Sequence, residues 1–176
     1  MSQLPPDAVV RPHQINGTVR IRAANASDVG GLSLYFTGLS STSRNKRFMG
    51  ARADLATLAA ECVAKAGHPD HFTLLAELRQ GEGPGTIIGE TRYAYDTVAR
   101  YGDFAISVAD MFQRKGIGLQ MMNAMERQAS DFGHEMIAAE TARANAEMRG
   151  LAKKAGYEDT GLGDWLSVHL AKRLLR

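Results

Sequence analysis

An α/β fold is predicted for this 176-residue chain from two strand-to-helix passages and one hairpin. The apolar run Phe104-Ala-Ile-Ser-Val108 leads through the glycine-bearing turn 113–118 into an amphipathic segment over 119–132. Residues 136–140 then read as a short buried strand, and the next helix starts at an Asn145 cap and stops at Gly156. Upstream, His71–Arg79 and 86–95 flank the turn 80–85 as a hairpin.

The remaining elements follow from the same signals. Residues 1–17 hold three of the five prolines and little periodicity, so a flexible tail is expected ahead of a single domain over 18–176. Thr18–Ala23 alternates as a first strand, and Asn25-Ala-Ser-Asp28 opens a helix running to about Leu39. A second helix is expected over 52–66, a fourth strand over 103–109, and a closing strand over 165–170. Met121, Met122 and Met125 follow helical spacing and read as core.

Composition narrows the class. Hydrophobic residues at 44% and charged residues at 23% are ordinary globular usage, and a formal net charge of +2 argues against nucleic acid as a partner. The lone Cys62 has no partner for an internal disulfide and fits a reducing compartment. With no membrane-length apolar run and no signal-peptide core in residues 1–17, the expected location is cytoplasmic, with no membrane partner. His68, His71, His134 and His169 have no carboxylate or Cys at ligand spacing, so no metal is expected.

The turn 113–118 has the chemistry of an anion cradle. Glycines let the backbone approach a phosphate, and a helix start adds unpaired N–H donors and about half a positive charge. No Gly-Lys-Ser or Gly-Lys-Thr occurs, which excludes a triphosphate loop. Gly81-Glu-Gly83-Pro-Gly85 has the wrong spacing for a dinucleotide loop and precedes a strand-like run.

The stretch Gln113-Arg114-Lys115-Gly116-Ile117-Gly118 after a strand resembles the acetyl-CoA loop of the GNAT superfamily of N-acetyltransferases. Downstream, Asn145-Ala-Glu-Met148-Arg-Gly-Leu151-Ala-Lys153-Lys-Ala-Gly156-Tyr157 matches the second hallmark of that family. The resemblance covers about 155 of the 176 residues. Over residues 39–50, 89–93 and 103–110 it is most similar to the acyltransferase domain of bacterial protein-lysine acetyltransferases, although the first of these also reads as a helix end and a basic loop. It implies a mixed, mostly antiparallel sheet of about seven strands, splayed between the fourth and fifth, with about four helices. It also implies acetyl-CoA as cosubstrate and a primary amine as acceptor, a protein lysine before a small-molecule amine or amino acid. A non-catalytic acyl-CoA-binding module and a homodimer stay open.

The chemistry sets what such a site must supply. Lysine titrates near ~10.4, so about one in 2,500 is neutral at pH 7, a cost of roughly 4.6 kcal/mol that a carboxylate base offsets. The resemblance points to Asp103 as that base, with Glu90 in reserve. It assigns the oxyanion to the main-chain N–H at Val108, and coenzyme contacts to Gln113, Arg114, Lys115, Gly116, Ile117, Gly118 and Asn145. Small GNAT enzymes carry a Tyr acid seven residues after the Asn; Ala152 stands here, so the thiolate is expected to leave unassisted, and Tyr157 to pack.

Overall fold

The computed structural model describes residues 8–10, 15–50 and 54–174. Period-two alternation builds one eight-stranded sheet in the order β1-β2-β3-β4-β5-β6-β8-β7. Its strands are β1 (Ala8–Val10), β2 (Thr18–Ala23), β3 (His71–Arg79), β4 (Thr86–Asp96), β5 (Tyr101–Val108), β6 (Met136–Ala142), β7 (Glu158–Asp159) and β8 (Ser167–Arg173). Every pairing is antiparallel except β5 with β6.

Among the described residues four helices cover the two faces. On one face, α4 (Ile117–Asp131) and α5 (Ala146–Lys154) bury Ile117, Met121, Met122 and Met125 against Phe72, Tyr93, Phe104 and Ile137. On the other, α1 (Val29–Gly38) and α3 (Leu55–Ala64) bury Leu32, Phe36, Ala59 and Cys62 against Leu75. Each helix stripe thus meets one side of the pleat. Burial pushes the Cys62 thiol up to about 11, which fits a packing role.

Three differences from the sequence reading have local causes. Ser41–Phe48 forms a further helix, α2, where a basic loop was expected; none of its residues is buried, so it carries no apolar stripe to announce it. It is held by its cap, the Ser40 hydroxyl accepting from the Ser43 N–H at 3.1 Å. The closing strand starts at Ser167 rather than at residue 165, because the Asp164 carboxylate accepts the N–H groups of Leu166 and Ser167 and shapes them into a turn that leaves Trp165 79% exposed. Finally, within the expected tail Ala8–Val10 pairs with β2, while residues 1–7 and 11–14 lie outside the described residues. The start of the expected second helix, 52–53, lies outside them too; the observed helix is α3.

Candidate active site

β5 and β6 pair only at Gly102↔Ile137 and Asp103↔Ala138, then diverge. The sheet therefore opens as a V toward the C-terminal ends of both strands, between the fourth and fifth strands of the sequence reading. Each strand feeds a helix at that end, so the N-termini of α4 and α5 both face the mouth.

The inner edge of β5 is built for main-chain pairing. The Ala109 N–H bonds the Ile88 carbonyl at 2.8 Å, and pairing alternates along an antiparallel ladder. Val108, set opposite Gly89, therefore turns its own N–H and C=O away from β4 and toward the gap. Its carbonyl is met there by the Gln113 side-chain amide at 2.9 Å, which also reaches the Ser43 hydroxyl at 3.3 Å.

The following turn has the shape of an anion nest. Arg114 and Gly116 adopt positive φ of 60° and 83°, and Gly116 is the N-cap of α4 with no side-chain cap. The first N–H groups of α4 are thus left without a capping side chain. The two glycines have different reasons. Gly116 is needed for its φ, since an added Cβ would meet nothing nearer than Gln120 at 3.9 Å; at Gly118 an added Cβ would come within 3.1 Å of Leu151, so that glycine sets how closely α4 packs on α5. Ile117 is buried in the core and Arg114 is exposed. Asn145 caps α5, accepting from the Met148 N–H at 3.2 Å.

Beside the gap, on the α1–α3 face, lies a buried polar chain. Glu90 is fully buried and ion-paired with Arg47, whose Nε stands 2.5 Å from Oε1 and whose Nη2 stands 3.3 Å from Oε2. The Ser107 hydroxyl donates to Oε1 at 2.8 Å and exchanges a 2.9 Å hydrogen bond with the Tyr35 hydroxyl. Burial opposes the charge on Arg47, but the adjacent Glu90 carboxylate outweighs it and raises the arginine further. Burial, then the Glu90 charge, also push the Tyr35 phenol well above its usual range.

Helix α2 lies across this arrangement. Asp110 accepts from the Ser40 N–H at 3.0 Å and from the Ser40 and Ser43 hydroxyls at 2.8 and 2.7 Å; these bonds, the Ser40 N–H first, hold its carboxyl below the usual range. Lys46 pairs with Glu147 of α5 at 3.0 Å, so one helix is tied to both arms of the V.

The predicted residues do not all meet here. Val108, Gln113, Arg114, Lys115, Gly116, Ile117 and Gly118 are together at the mouth, with Asn145 on the facing arm and Glu90 beside them. Asp103 is not among them. It shares the face of Ser107 but sits four residues back, roughly 13 Å along the strand, where β5 and β6 are still joined. Desolvation by the surrounding strand ends raises its carboxyl, helped by the Glu140 charge and opposed by the Phe104 N–H it accepts at 2.8 Å. An open cleft of about 500 Å³, lined by His71, Tyr95, Asp96, Tyr101 and Asp103, lies at this closed end and away from the cradle. Sequence reasoning gave no site role to Arg47, Ser107 or Tyr35, although Arg47 and Ser107 lie in the stretches 39–50 and 103–110 that carry the resemblance. Tyr157 packs in the α4-side core against Phe104, and Ala152 is fully buried in α5, so neither supplies an acid at the mouth.

Comparison with known proteins agrees with this architecture. A model of the acetyltransferase (GNAT) family matches residues 41–157. The GNAT domain of Streptomyces lividans PAT superposes with a TM-score of 0.83 at 22% identity, covering 98% of this chain and all of that one. The ribosomal-protein-S5-alanine acetyltransferase of Vibrio fischeri gives 0.73 at 16% identity, covering 96% and 97%. YncA of Salmonella typhimurium, solved with its cofactor acetyl-CoA, gives 0.70 at 16% identity, covering 90% and 95%. No curated protein sequence matches the chain. No helix among the described residues is long and apolar enough to cross a membrane.

Proposed function

We propose that the chain, which belongs to the acetyltransferase (GNAT) family by its match over residues 41–157, transfers the acetyl group of acetyl-CoA directly to a lysine side chain of a protein. One observation carries the reading. The strand gap, the uncapped helix start and a buried carboxylate all lie at the same end of β5.

Acetyl-CoA supplies an activated acetyl thioester, and the chain's own groups suit its parts. The turn 113–118 offers N–H donors to a diphosphate, flanked by the Arg114 and Lys115 side chains. The Val108 carbonyl, already accepting an amide N–H from Gln113, suits a pantetheine amide, and Asn145 flanks the other side of the gap. The Val108 N–H is the donor suited to a developing oxyanion. Glu90, within one hydroxyl of the β5 edge, suits the proton of the attacking ammonium better than Asp103 does, since Asp103 stands at the joined end of the V. With Ala152 and Tyr157 both in the core, the thiolate departs without a tyrosine acid.

A protein acceptor is favoured by the form of the mouth. Helix α2, which turns Arg47 and Phe48 inward and leaves Ser41, Thr42, Asn45 and Lys46 exposed, forms its rim. Proteins of like fold include the S5-alanine enzyme and the L7/L12 α-N-protein acetyltransferase RimL, whose names give protein acceptors. The test is thiol release from acetyl-CoA, with lysine peptides set against small primary amines. Turnover on peptides supports the reading; turnover on small amines alone overturns the protein acceptor.

A further inference from the structure

Glu90 is paired in an unusual way for a buried carboxylate. Its cation comes from α2, a helix with no buried residue, and not from the sheet in which Glu90 sits. A sheet partner was at hand: Arg92 is two residues along β4 on the same face, yet it reaches 3.8 Å toward Glu61 of α3. By contrast Glu77, the other acidic residue buried on this sheet, is met by Arg22 from the adjacent β2.

The two carboxylate oxygens are held unequally. Oε1 accepts both Arg47 Nε and the Ser107 hydroxyl, whereas Oε2 holds only the longer 3.3 Å contact from Nη2. A carboxylate has about four lone-pair positions, so Oε2 keeps acceptor capacity for a further donor. In the paired position the guanidinium also lies 5.1 Å from the centre of the Phe48 ring, on the same helix. Removing a cation from a buried carboxylate is prohibitive unless another cation arrives with it.

We propose that Arg47 holds the position of the acceptor's ammonium, and that a cationic primary amine binds by displacing the guanidinium from Glu90. This rests on the reading above, in which Glu90 faces the acceptor. Arg47 is then a specificity-determining residue. Cation replaces cation, so Glu90 is never left unpaired, and an uncharged side chain of the same length lacks the charge needed for the exchange. The choice of arginine also fits, because a guanidinium stays protonated and does not compete with the acceptor amine as a nucleophile.

The wild-type protein gives the direct test. In the free state the Arg47 Nε proton bonded to Glu90 should yield a protected NMR signal. Saturating Nα-acetyl-lysine amide with CoA present is expected to speed its solvent exchange by roughly tenfold or more, while the norleucine counterpart leaves it unchanged. If the lysine amide is acetylated in a parallel acetyl-CoA assay yet the signal does not move, the inference fails and the function stands. If neither the lysine amide nor lysine peptides are acetylated, the function fails and this inference with it. In Arg47→Gln, KM for the lysine amide should fall by about fivefold with a smaller change in kcat, and millimolar guanidinium should raise KM again in competition with the amine. A collapse of kcat that guanidinium restores would mark Arg47 as a permanent counterion and overturn the proposal.

Discussion

The two ends of β5 carry the same chemical type in opposite settings. At the joined end Asp103 lies where β5 and β6 share their only rungs; at the open end Glu90, Ser107 and Val108 lie beside the gap, near two helix starts. Both carboxylates face the same side of the sheet. What separates them is whether a neighbouring strand has moved away, and only the open end leaves room for a ligand against the β5 backbone. The candidate site is set apart by strand divergence more than by residue type.

Substitutions at the two ends should therefore differ widely. Glu90→Gln is expected to lower turnover about a hundredfold or more with CoA affinity unchanged, measured by thiol release and calorimetry. Retained turnover would move the base elsewhere. Gly116→Val forces a β-branched residue to φ 83° and should weaken CoA binding by about tenfold or more, with a fall in the thermal midpoint from the backbone strain. Gly118→Val instead meets Leu151 and should show chiefly as lost stability.

Asp103→Asn provides the contrast, with turnover expected within about twofold of wild type. Its carboxyl is raised in the folded state, so the stability it contributes is fully present below the unfolded pKa and is lost as pH rises through the folded one. The amide should then raise the melting midpoint slightly at pH 7 and not at pH 3. A large loss of turnover would return the base role to the joined end.

The smallest effect has the opposite sign. Asp110, which clasps α2, has a lowered carboxyl, so its contribution is present above the unfolded Asp value and disappears as pH falls through the folded one. Proteolysis or hydrogen exchange in α2 should rise only below about pH 4, the usual Asp range. Loosening at neutral pH would show that Asp110 does not hold the helix.

Local signals carried most of the fold. Asn145 and Gly156 mark both ends of a helix, and residues 104–132 display strand, turn and helix in order, because caps and periodicity are written in neighbouring residues. Helix α2 was not legible: Ser-Thr-Ser-Arg-Asn-Lys-Arg-Phe shows no apolar stripe, and its anchors, Glu90 and Asp110, are more than forty residues away. Trp165 looked like strand because its side chain suits one, but the Asp164 turn overrides it. The cradle at Gly116 was readable for the same reason as the helices. Glu90 and Asp103 were both visible as candidates, yet their ranking depends on where β5 and β6 part, which no local pattern records.

Hydrogen exchange of the backbone with and without CoA bears most directly on the difference between the two ends. Protection should appear at Val108, across 114–118 and around Asn145, with the 96–103 segment unchanged. Protection confined to 96–103 and the cleft around Tyr101 would contradict the assignment of the coenzyme to the open end of the V.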